Sequence, residues 1–524
     1  MRSRLSGTLD ARAYAPKKNA CSPWHQVRSS PVRGLRHLSL LLCALLSACA
    51  TVTNPVTGEP ERTVMDESQE IAQGQKAHQQ VMAEYRRYPN DAVQTYVNEL
   101  GQRLAAQSHR SQLDWHFTVV DSPEVNAFAL PGGYIYVTRG LMAYMDSEAD
   151  LAGVIGHEIG HVTARHSAQR ATRQQTAGLG VMAASLLGVL LESRMPGAGR
   201  LAGELSQGVA AGYVARYSRE QELQADQLGA EYLARNHYDP KNMVDVIQVL
   251  KSQERYAAEA AQAEGRAAPA QSNWLSSHPS NDQRLAEIAH IAAQYTDVYG
   301  EDQRARYLKT IDGMAFGESS EQGLTRGQNF YHIGLGIALT APPGWKVANT
   351  ADAVMLVKPS NDAALVMMLA PPDAGTDHEQ IIRALFKPTQ GQMERYTLGA
   401  MQATHFVGTL TTAQGQTRGM EATIVTGPDN HHYVLTYAAK DAQSLAGART
   451  DLRAAEGSFR PITAADRTAA RPWSLRVVPT PAGGLRELAA KSPLTHYAEQ
   501  QLQLLNGYYG DGEPAPGTPI KIVR

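Results

Sequence analysis

Two histidines, His157 and His161, lie four residues apart, and Glu158 directly follows the first of them. Residues four apart share one face of a helix, so both imidazoles can bind a single metal ion. A carboxylate at position 158 points toward the same cavity, where it can take a proton from water. The other faces of this helix carry apolar side chains, at Leu151, Val154, Ile155 and Ile159. The pattern predicts a catalytic zinc site.

The third zinc ligand must come from elsewhere, because a catalytic zinc commonly has three protein ligands and one open position. A metzincin would have Gly three residues and His six residues after His161, where this chain has Ala164 and Ser167. His166 falls at the wrong helical phase for that pattern. We interpret it as a structural histidine or as one that supports a ligand from behind.

A later acidic pair, Glu222 and Asp226, has the same spacing of four residues. We predict that Glu222 is the third zinc ligand and that Asp226 accepts the free ring N–H of a ligand histidine, which fixes the tautomer of that ring. Glu220 is the competing carboxylate, but it has no partner at the same helical phase. The predicted cofactor is therefore one Zn²⁺ per chain.

The elements that would position these residues can be read from the hydrophobic pattern. Helices are predicted over 66–87, 91–108, 147–169 and 218–236. A strand is predicted over 115–120, followed by a hairpin around Pro131-Gly132-Gly133. The segment 178–192 is markedly apolar but short for a bilayer, which favours a buried or lid helix beside the site over a transmembrane helix.

From about residue 327 the sequence becomes richer in strands. Strands are predicted over 333–340, 354–357, 364–369, 417–426 and 432–438, and helices over 377–386 and 442–457. At 524 residues the chain is long enough for several domains. The predicted fold is multidomain, with a mainly α-helical zincin catalytic domain at 66–300 that contains a small β-hairpin or sheet. An α+β accessory domain follows at 327–460, and a small module at 473–524.

The amino-terminal sequence is typical of a targeting segment. A basic stretch precedes the apolar run 37–48, which suits the core of a signal peptide better than a membrane span. The run ends at Cys49 and resembles the bacterial lipobox, in which the cysteine becomes the lipid-modified first residue. We predict a lipoprotein signal peptide at 1–48 and a tether at 49–65, with an ordinary signal peptide or a buried helix as the alternative. By resemblance, Ala50 favours the outer membrane.

Cysteine content and charge exclude several classes of protein. All three cysteines lie at or before Cys49, so the rest of the chain has neither a disulfide framework nor a thiolate metal site. The net charge is −2, and it becomes −9 without residues 1–48, which hold eight of the 49 Lys and Arg residues. A mildly acidic protein lacks the basic surface that nucleic-acid binding requires.

Several motifs surround the histidine and acidic pairs: Asn126-Ala127-Phe128-Ala129, Pro131-Gly132-Gly133, Arg165-His166-Ser167 and Ser218-Arg219. Together with those pairs they make residues 62–292 resemble the zinc metallopeptidase family that includes HtpX, BepA and the CAAX prenyl endopeptidase, in its periplasmic lipoprotein branch. The resemblance implies a glutamate-completed zinc site. It also makes His278 a candidate regulatory fourth ligand or oxyanion helper and Arg284 a candidate oxyanion stabiliser, where the alternative is a loop histidine and a helix-end arginine.

The expected activity is zinc-dependent hydrolysis of peptide bonds, with Glu158 as the general base. Residues 126–129 are expected to bind substrate by strand addition at a sheet edge. Strand addition recognises the peptide backbone and tolerates many side chains, which suits misfolded or unassembled envelope proteins as substrates. The alternative is a latent protease that acts mainly as a chaperone or as a factor that binds the cell wall or an assembly complex.

Further predicted partners are the outer membrane, through lipidated Cys49, the outer-membrane assembly machinery and peptidoglycan. Residues 473–524 weakly resemble a peptidoglycan-binding LysM repeat, although Ala482-Gly483-Gly484 replaces its usual Gly-Asp-Thr. No nucleic-acid partner is expected.

Overall fold

The computed structural model describes residues 50–175, 217–263, 274, 278, 282–350, 353–411, 417–494, 497–510 and 512–524. The predicted signal peptide at 1–48, Cys49 and the apolar segment 178–192 lie outside the described residues. None of the helices within the described ranges is both long and apolar enough to cross a lipid bilayer.

The first region combines helices with a small sheet. Its helices are α1 (Glu67–Glu84), α2 (Asp91–Ala106), α3 (Arg139–Tyr144), α4 (Glu148–Thr163), α5 (Arg219–Arg235), α6 (Asn242–Ala263), α7 (Asp282–Ala292) and α8 (Arg304–Ile311). Its strands are β1 (Ala50–Thr53), β2 (Pro60–Thr63), β3 (His116–Val120), β4 (Ala127–Leu130), β5 (Tyr134–Thr138) and β6 (Ala315–Phe316). A three-stranded sheet has the order β3-β5-β4, with β3 parallel and β4 antiparallel to β5. The predicted hairpin around Pro131-Gly132-Gly133 is confirmed.

Helices α4 and α5 pack closely, and glycines allow that contact. A Cβ at Gly160 would lie 3.0 Å from the Ala225 carbonyl oxygen, and one at Gly156 would lie 3.3 Å from that of Gly229. Larger residues at these positions would push the two helices apart. The glycines of the His157–His161 segment therefore bring its helix against the helix that carries the acidic pair.

The second region is a seven-stranded antiparallel sheet with one helix on each face. Its elements, with those of a smaller sheet beside it, are β7 (Leu324–Arg326), β8 (Asn329–His332), β9 (Ile337–Thr340), β10 (Lys346–Asn349), β11 (Val354–Val357), β12 (Ala363–Leu369), α9 (His378–Phe386), β13 (Gln390–Leu398), β14 (Met401–Thr411), β15 (Thr417–Thr426), β16 (His432–Ala439), α10 (Ala442–Gly457), β17 (Arg460–Pro461) and α11 (Ala464–Ala469). The strand order is β10-β11-β12-β16-β15-β14-β13 in the large sheet and β17-β9-β8-β7 in the small one.

The predicted strand over 333–340 is wrong in its first half. Residues 333–336 form the turn between β8 and β9, and Gly336 adopts a positive φ of 67° there. A glycine takes this backbone conformation without steric cost, so the chain reverses where the apolar alternation alone predicts continuation.

The carboxy-terminal elements are β18 (Trp473–Pro479), α12 (Gly484–Ala489), α13 (Ala498–Leu505) and β19 (Pro519–Val523). Strands β18 and β19 pair antiparallel, and β18 also pairs with β6 of the first region. Leu475, Leu502 and Ile520 belong to the same hydrophobic core as Val154 and Ile155 of α4. The carboxy-terminal elements are therefore built into the core that surrounds the metal-motif helix.

Candidate metal centre

Helix α4 holds the histidine pair and Glu158 in the interior. Its first turn is fixed by a capping box, in which the Ser147 hydroxyl accepts the Asp150 N–H and the Asp150 carboxylate accepts the Ser147 N–H. Four residues on a helix amount to about one turn, so the two imidazoles lie one above the other. The Nε2 atoms of His157 and His161 are 2.9 Å apart.

Helix α5 brings the acidic pair to the same point. The Glu222 carboxylate lies 3.6 Å from His161 Nε2 and 3.7 Å from His157 Nε2, and it is buried. Glu220, the competing carboxylate, is exposed on the first turn of this helix. The structure thus brings Glu222, and not Glu220, to the two histidines.

His278 completes the cluster from another segment. Its Nδ1 lies 3.2 Å from His157 Nε2 and 3.0 Å from Glu222 Oε1. The ligand atoms of His157, His161, Glu222 and His278 all lie within 4.8 Å of one another, and all four residues are buried.

This donor set fits zinc. Tetrahedral Zn–N and Zn–O bonds of about 2.0–2.1 Å place ligand atoms roughly 3.3 Å apart, close to the spacings found here. Burial and the neighbouring His157 and His278 rings lower the pKa of His161 well below its ordinary value, so its ring is neutral. A neutral imidazole offers the lone pair that a metal requires.

The ring nitrogen of His157 that faces away from the ligand cluster, Nδ1, contacts the ion pair of Asp226 and Arg284. His157 Nδ1 lies 2.9 Å from Asp226 Oδ1, and Arg284 donates to both oxygens of Asp226 at 2.8 Å. Burial alone would raise the pKa of Asp226, but the Arg284 guanidinium and the His157 hydrogen bond lower it to about 2. Asp226 is therefore an anionic acceptor at neutral pH.

Arg284 has further partners besides Asp226. Its Nη1 donates to the His278 carbonyl oxygen and lies 3.0 Å from Glu222 Oε2. The structure thus places Arg284 behind the ligand cluster, where it holds Asp226 and the backbone of His278. A role in stabilising an oxyanion stays a prediction.

The corresponding ring nitrogen of His161 contacts a neutral ring in place of an ion pair. Its Nδ1 lies 2.9 Å from His166 Nδ1, and His166 Nε2 lies 3.0 Å from Gln224 Oε1. Burial lowers the pKa of His166 to about 4, so this ring is neutral and can accept the His161 N–H while donating its own to Gln224. His166 thus lies where a supporting histidine must lie.

Glu158 has a partner that the sequence analysis missed. The indole Nε1 of Trp274 donates to Glu158 Oε1 at 2.9 Å, and His278 Nε2 lies 3.5 Å from the same oxygen. Tyr217 was also missed, and its ring centroid is 4.1 Å from that of His161. Their closeness in sequence to His278 and to Ser218-Arg219 is the one signal that could have drawn attention to them.

The predicted substrate strand lies at the edge of its sheet. Ala127, Phe128 and Ala129 belong to β4, and Asn126 directly precedes it. Strand β4 is the outer strand of the order β3-β5-β4 and also packs against α4, the helix of the metal site. The peptide N–H of Trp274 donates to the Val125 carbonyl oxygen at 2.8 Å, just before this strand.

Comparison with known proteins gives the following matches. Residues 91–292 match the model of Peptidase family M48. The chain is 29% identical over 312 residues to a beta-barrel assembly-enhancing protease of Yersinia pestis, covering 54% of this chain and 62% of that one. It is 30% identical over 239 residues to the protein of that name from Escherichia coli K12, covering 45% and 46%. The mitochondrial metalloendopeptidase OMA1 of Schizosaccharomyces pombe is 32% identical over 239 residues, covering 43% and 64%. The chain thus spans less than two thirds of each of these relatives.

Proposed function

Residues 91–292 belong to peptidase family M48, and on this premise we propose that the protein is a zinc-dependent endopeptidase. The convergence of His157, His161 and Glu222 beside Glu158 carries the proposal. These four buried side chains combine three metal ligands with one general base, which is the minimum set for metal-assisted hydrolysis of an amide.

In the proposed mechanism His157, His161 and Glu222 hold the zinc, and Asp226 fixes the ring of His157. Zinc, when bound, acts as a Lewis acid that polarises the carbonyl group under attack and lowers the pKa of water. Glu158 takes a proton from the attacking water and delivers it to the leaving amine nitrogen. His278 is the proposed donor near the developing oxyanion, and Arg284 would join it there if its guanidinium turned away from Asp226.

The proposed substrates are misfolded or unassembled envelope proteins, bound in extended form along β4 at residues 126–129. An exposed sheet edge pairs with the backbone of any unfolded segment, which suits quality control. The relatives named beta-barrel assembly-enhancing protease support an action in outer-membrane protein assembly, together with the machinery that performs it.

We place the protein in the bacterial periplasm, anchored to the outer membrane through lipidated Cys49. The apolar run 37–48 before that cysteine supports this placement. For residues 473–524 we keep the LysM-like, peptidoglycan-binding role as a secondary proposal. Its support is the order of β18, α12, α13 and β19, with an antiparallel pair formed by the outer strands.

A latent protease is the second candidate, and one observation favours it. His278 lies against Glu222 and His157, while Trp274 and His278 both approach Glu158. A fourth ligand at the open zinc position would exclude water and substrate. In this state the protein would act as a chaperone or a binding factor until His278 leaves.

Casein hydrolysis by the mature chain separates these candidates. We expect hydrolysis that a chelator abolishes, that zinc restores and that Glu158→Gln removes. His278→Ala should raise the rate if His278 locks the site and lower it if His278 assists the oxyanion. Hydrolysis that survives both the chelator and Glu158→Gln would contradict the enzymatic proposal. Pull-down on peptidoglycan sacculi tests the carboxy-terminal module.

A further inference from the structure

The three-stranded sheet beside the metal centre has two unlike faces. One face carries buried aliphatic and small side chains, such as Ala127, Ile135 and Val137, and belongs to the core. The other face carries the rings of His116, Tyr134, Tyr136 and Phe128, and it is covered by the rings of His78 on α1 and of Tyr85 just after α1. These rings contact one another in the series His116, Tyr134, His78, Tyr136, Phe128 and Tyr85. The aromatic face therefore reaches the edge strand at Phe128.

Phe128 is the ring of this series that belongs to the edge strand. Its ring is 4.8 Å from that of Tyr136, nearly parallel to it, and 5.7 Å from that of Tyr85, the residue that follows α1. Phe128 keeps part of its surface exposed, whereas Tyr136 behind it is buried. A side chain beside Phe128 would therefore meet a ring that its neighbours hold in place.

The register of β4 and β5 determines which peptide groups face outward. Thr138 N–H donates to the Asn126 carbonyl oxygen, so Asn126 and Phe128 direct their peptide groups at β5. Ala127 and Ala129 therefore direct theirs away from the sheet. The carbonyl of Val125 belongs to this outward row, and it already accepts the N–H of Trp274.

Trp274 connects the outward row of β4 to the candidate metal centre. Its peptide N–H is bonded to the outward row, while its indole N–H reaches Glu158. A single residue thus connects the edge to the general base. A segment that pairs with the outward row along β4 would run past Val125, where Trp274 lies, and past Phe128.

We infer that the edge of β4 selects extended segments that carry an aromatic side chain directly beside Phe128. The inference rests on the proposed function and names its substrate class, which is strand-forming segments with an aromatic side chain at the position opposite Phe128. Directly opposed residues of paired strands lie on the same face, so this side chain packs on the Phe128 ring. Paired rings gain more than their buried area alone provides, and we expect affinity to rise about twofold to tenfold.

Peptide binding to the full-length Glu158→Gln variant tests this, because it requires no cleavage. A series of otherwise polar, strand-forming peptides carries Phe, Leu or Ala at each position in turn, and fluorescence anisotropy gives the affinity. At one position we expect the Phe peptide to bind more tightly than the Leu peptide, and the Leu peptide more tightly than the Ala peptide. At positions two residues away the same preference should be weaker. Equal affinities for Phe and Ala, or for Phe and Leu, would overturn the inference.

A second variant separates selection from folding. Phe128→Ala should remove the preference for the Phe peptide over the Ala peptide. A fold defect would weaken the binding of all peptides alike and leave that preference intact. His116→Ala is the matched control, because it removes a ring from the same face two strands away from the edge. Loss of the preference in the His116 variant would contradict a local role for Phe128. Absence of cleavage of any peptide by the wild-type chain would argue against the proposed function alone.

Discussion

The two histidines of α4 present the same nitrogen to the metal site but are supported from behind in different ways. His157 has the carboxylate of Asp226 as its acceptor, and Arg284 neutralises that carboxylate from both oxygens. His161 has the neutral ring of His166, which is bonded in turn to Gln224. An anionic acceptor makes the stronger hydrogen bond but requires a buried counter-ion. The site thus has one charged support and one neutral support.

The charged support should give the largest effect when broken. Asp226→Ala leaves the His157 N–H without its acceptor and removes the carboxylate that accepts two guanidinium N–H groups of Arg284 in the interior. We expect zinc affinity to fall about 10- to 100-fold and the free energy of unfolding to fall by about 3–5 kcal/mol. Competition with a fluorescent chelator and denaturant unfolding measure the two effects. An affinity within twofold of the wild type would show that Asp226 does not support the ligand.

The neutral support should give a smaller effect. His166→Ala removes an uncharged acceptor, and we expect a loss of zinc affinity near the lower end of that range, about tenfold. His166→Asn offers an acceptor at a similar distance and should recover part of the loss. The same chelator competition compares both variants with Asp226→Ala. A larger loss in His166→Ala than in Asp226→Ala would reverse the comparison.

Gln224 should matter least. Its side chain is only partly buried, so water can replace it as the acceptor for His166. Gln224→Leu is expected to cost about 1 kcal/mol or less of unfolding free energy and less than threefold in zinc affinity. A loss as large as that of His166→Ala would show that the ring of His166 depends on Gln224 for its orientation.

The two supports should also respond to acid in different ranges of pH. The folded-state pKa of Asp226, about 2, lies below its ordinary value of 3.8, so its contribution to stability is present above pH 4 and is lost toward pH 2. The pKa of His166 falls from 6.5 to about 4, so the unfolded state takes up its proton first and stability declines from pH 6.5 to 4. Denaturant unfolding of the zinc-free protein across this range measures both.

Matched variants assign the two parts of the acid response. His166→Asn should flatten the decline between pH 6.5 and 4 and leave the lower range unchanged. Asp226→Asn should do the opposite. If neither variant changes the slope in its own range, other buried groups dominate the acid response.

Local spacing explains why the metal-binding core of the site was predictable. Pairs four residues apart on one helix must share a face, so His157 with His161 and Glu222 with Asp226 could be read from the sequence. Gln224 and Trp274 could not, because each reaches the site only through contacts between distant segments. The aromatic face could not be predicted either, because its rings come from separate elements, among them α1, β3, β4 and β5.

In the fold, too, local patterns were predictable and long-range contacts were not. Six of the thirteen helices named above were predicted, together with the apolar strands, whereas α6, α7 and α8 were not. Strands β13 and β14 were also missed, and in β13 polar residues dominate and the side chains are mostly exposed. An edge strand that is open to solvent on both faces lacks the alternation that marks a half-buried strand. The packing of residues 473–524 into the core around α4 likewise depends on long-range contacts, which periodicity does not report.

The central claim is that His157, His161 and Glu222 hold one zinc ion beside Glu158. X-ray absorption at the zinc edge, on protein loaded with one equivalent of zinc, tests it most directly. We predict a shell of imidazole nitrogen and carboxylate oxygen at about 2.0–2.1 Å. Its imidazole contribution should fall in His157→Ala and in His161→Ala. A protein that binds no zinc, or a shell that all three of His157→Ala, His161→Ala and Glu222→Ala leave unchanged, would contradict the account.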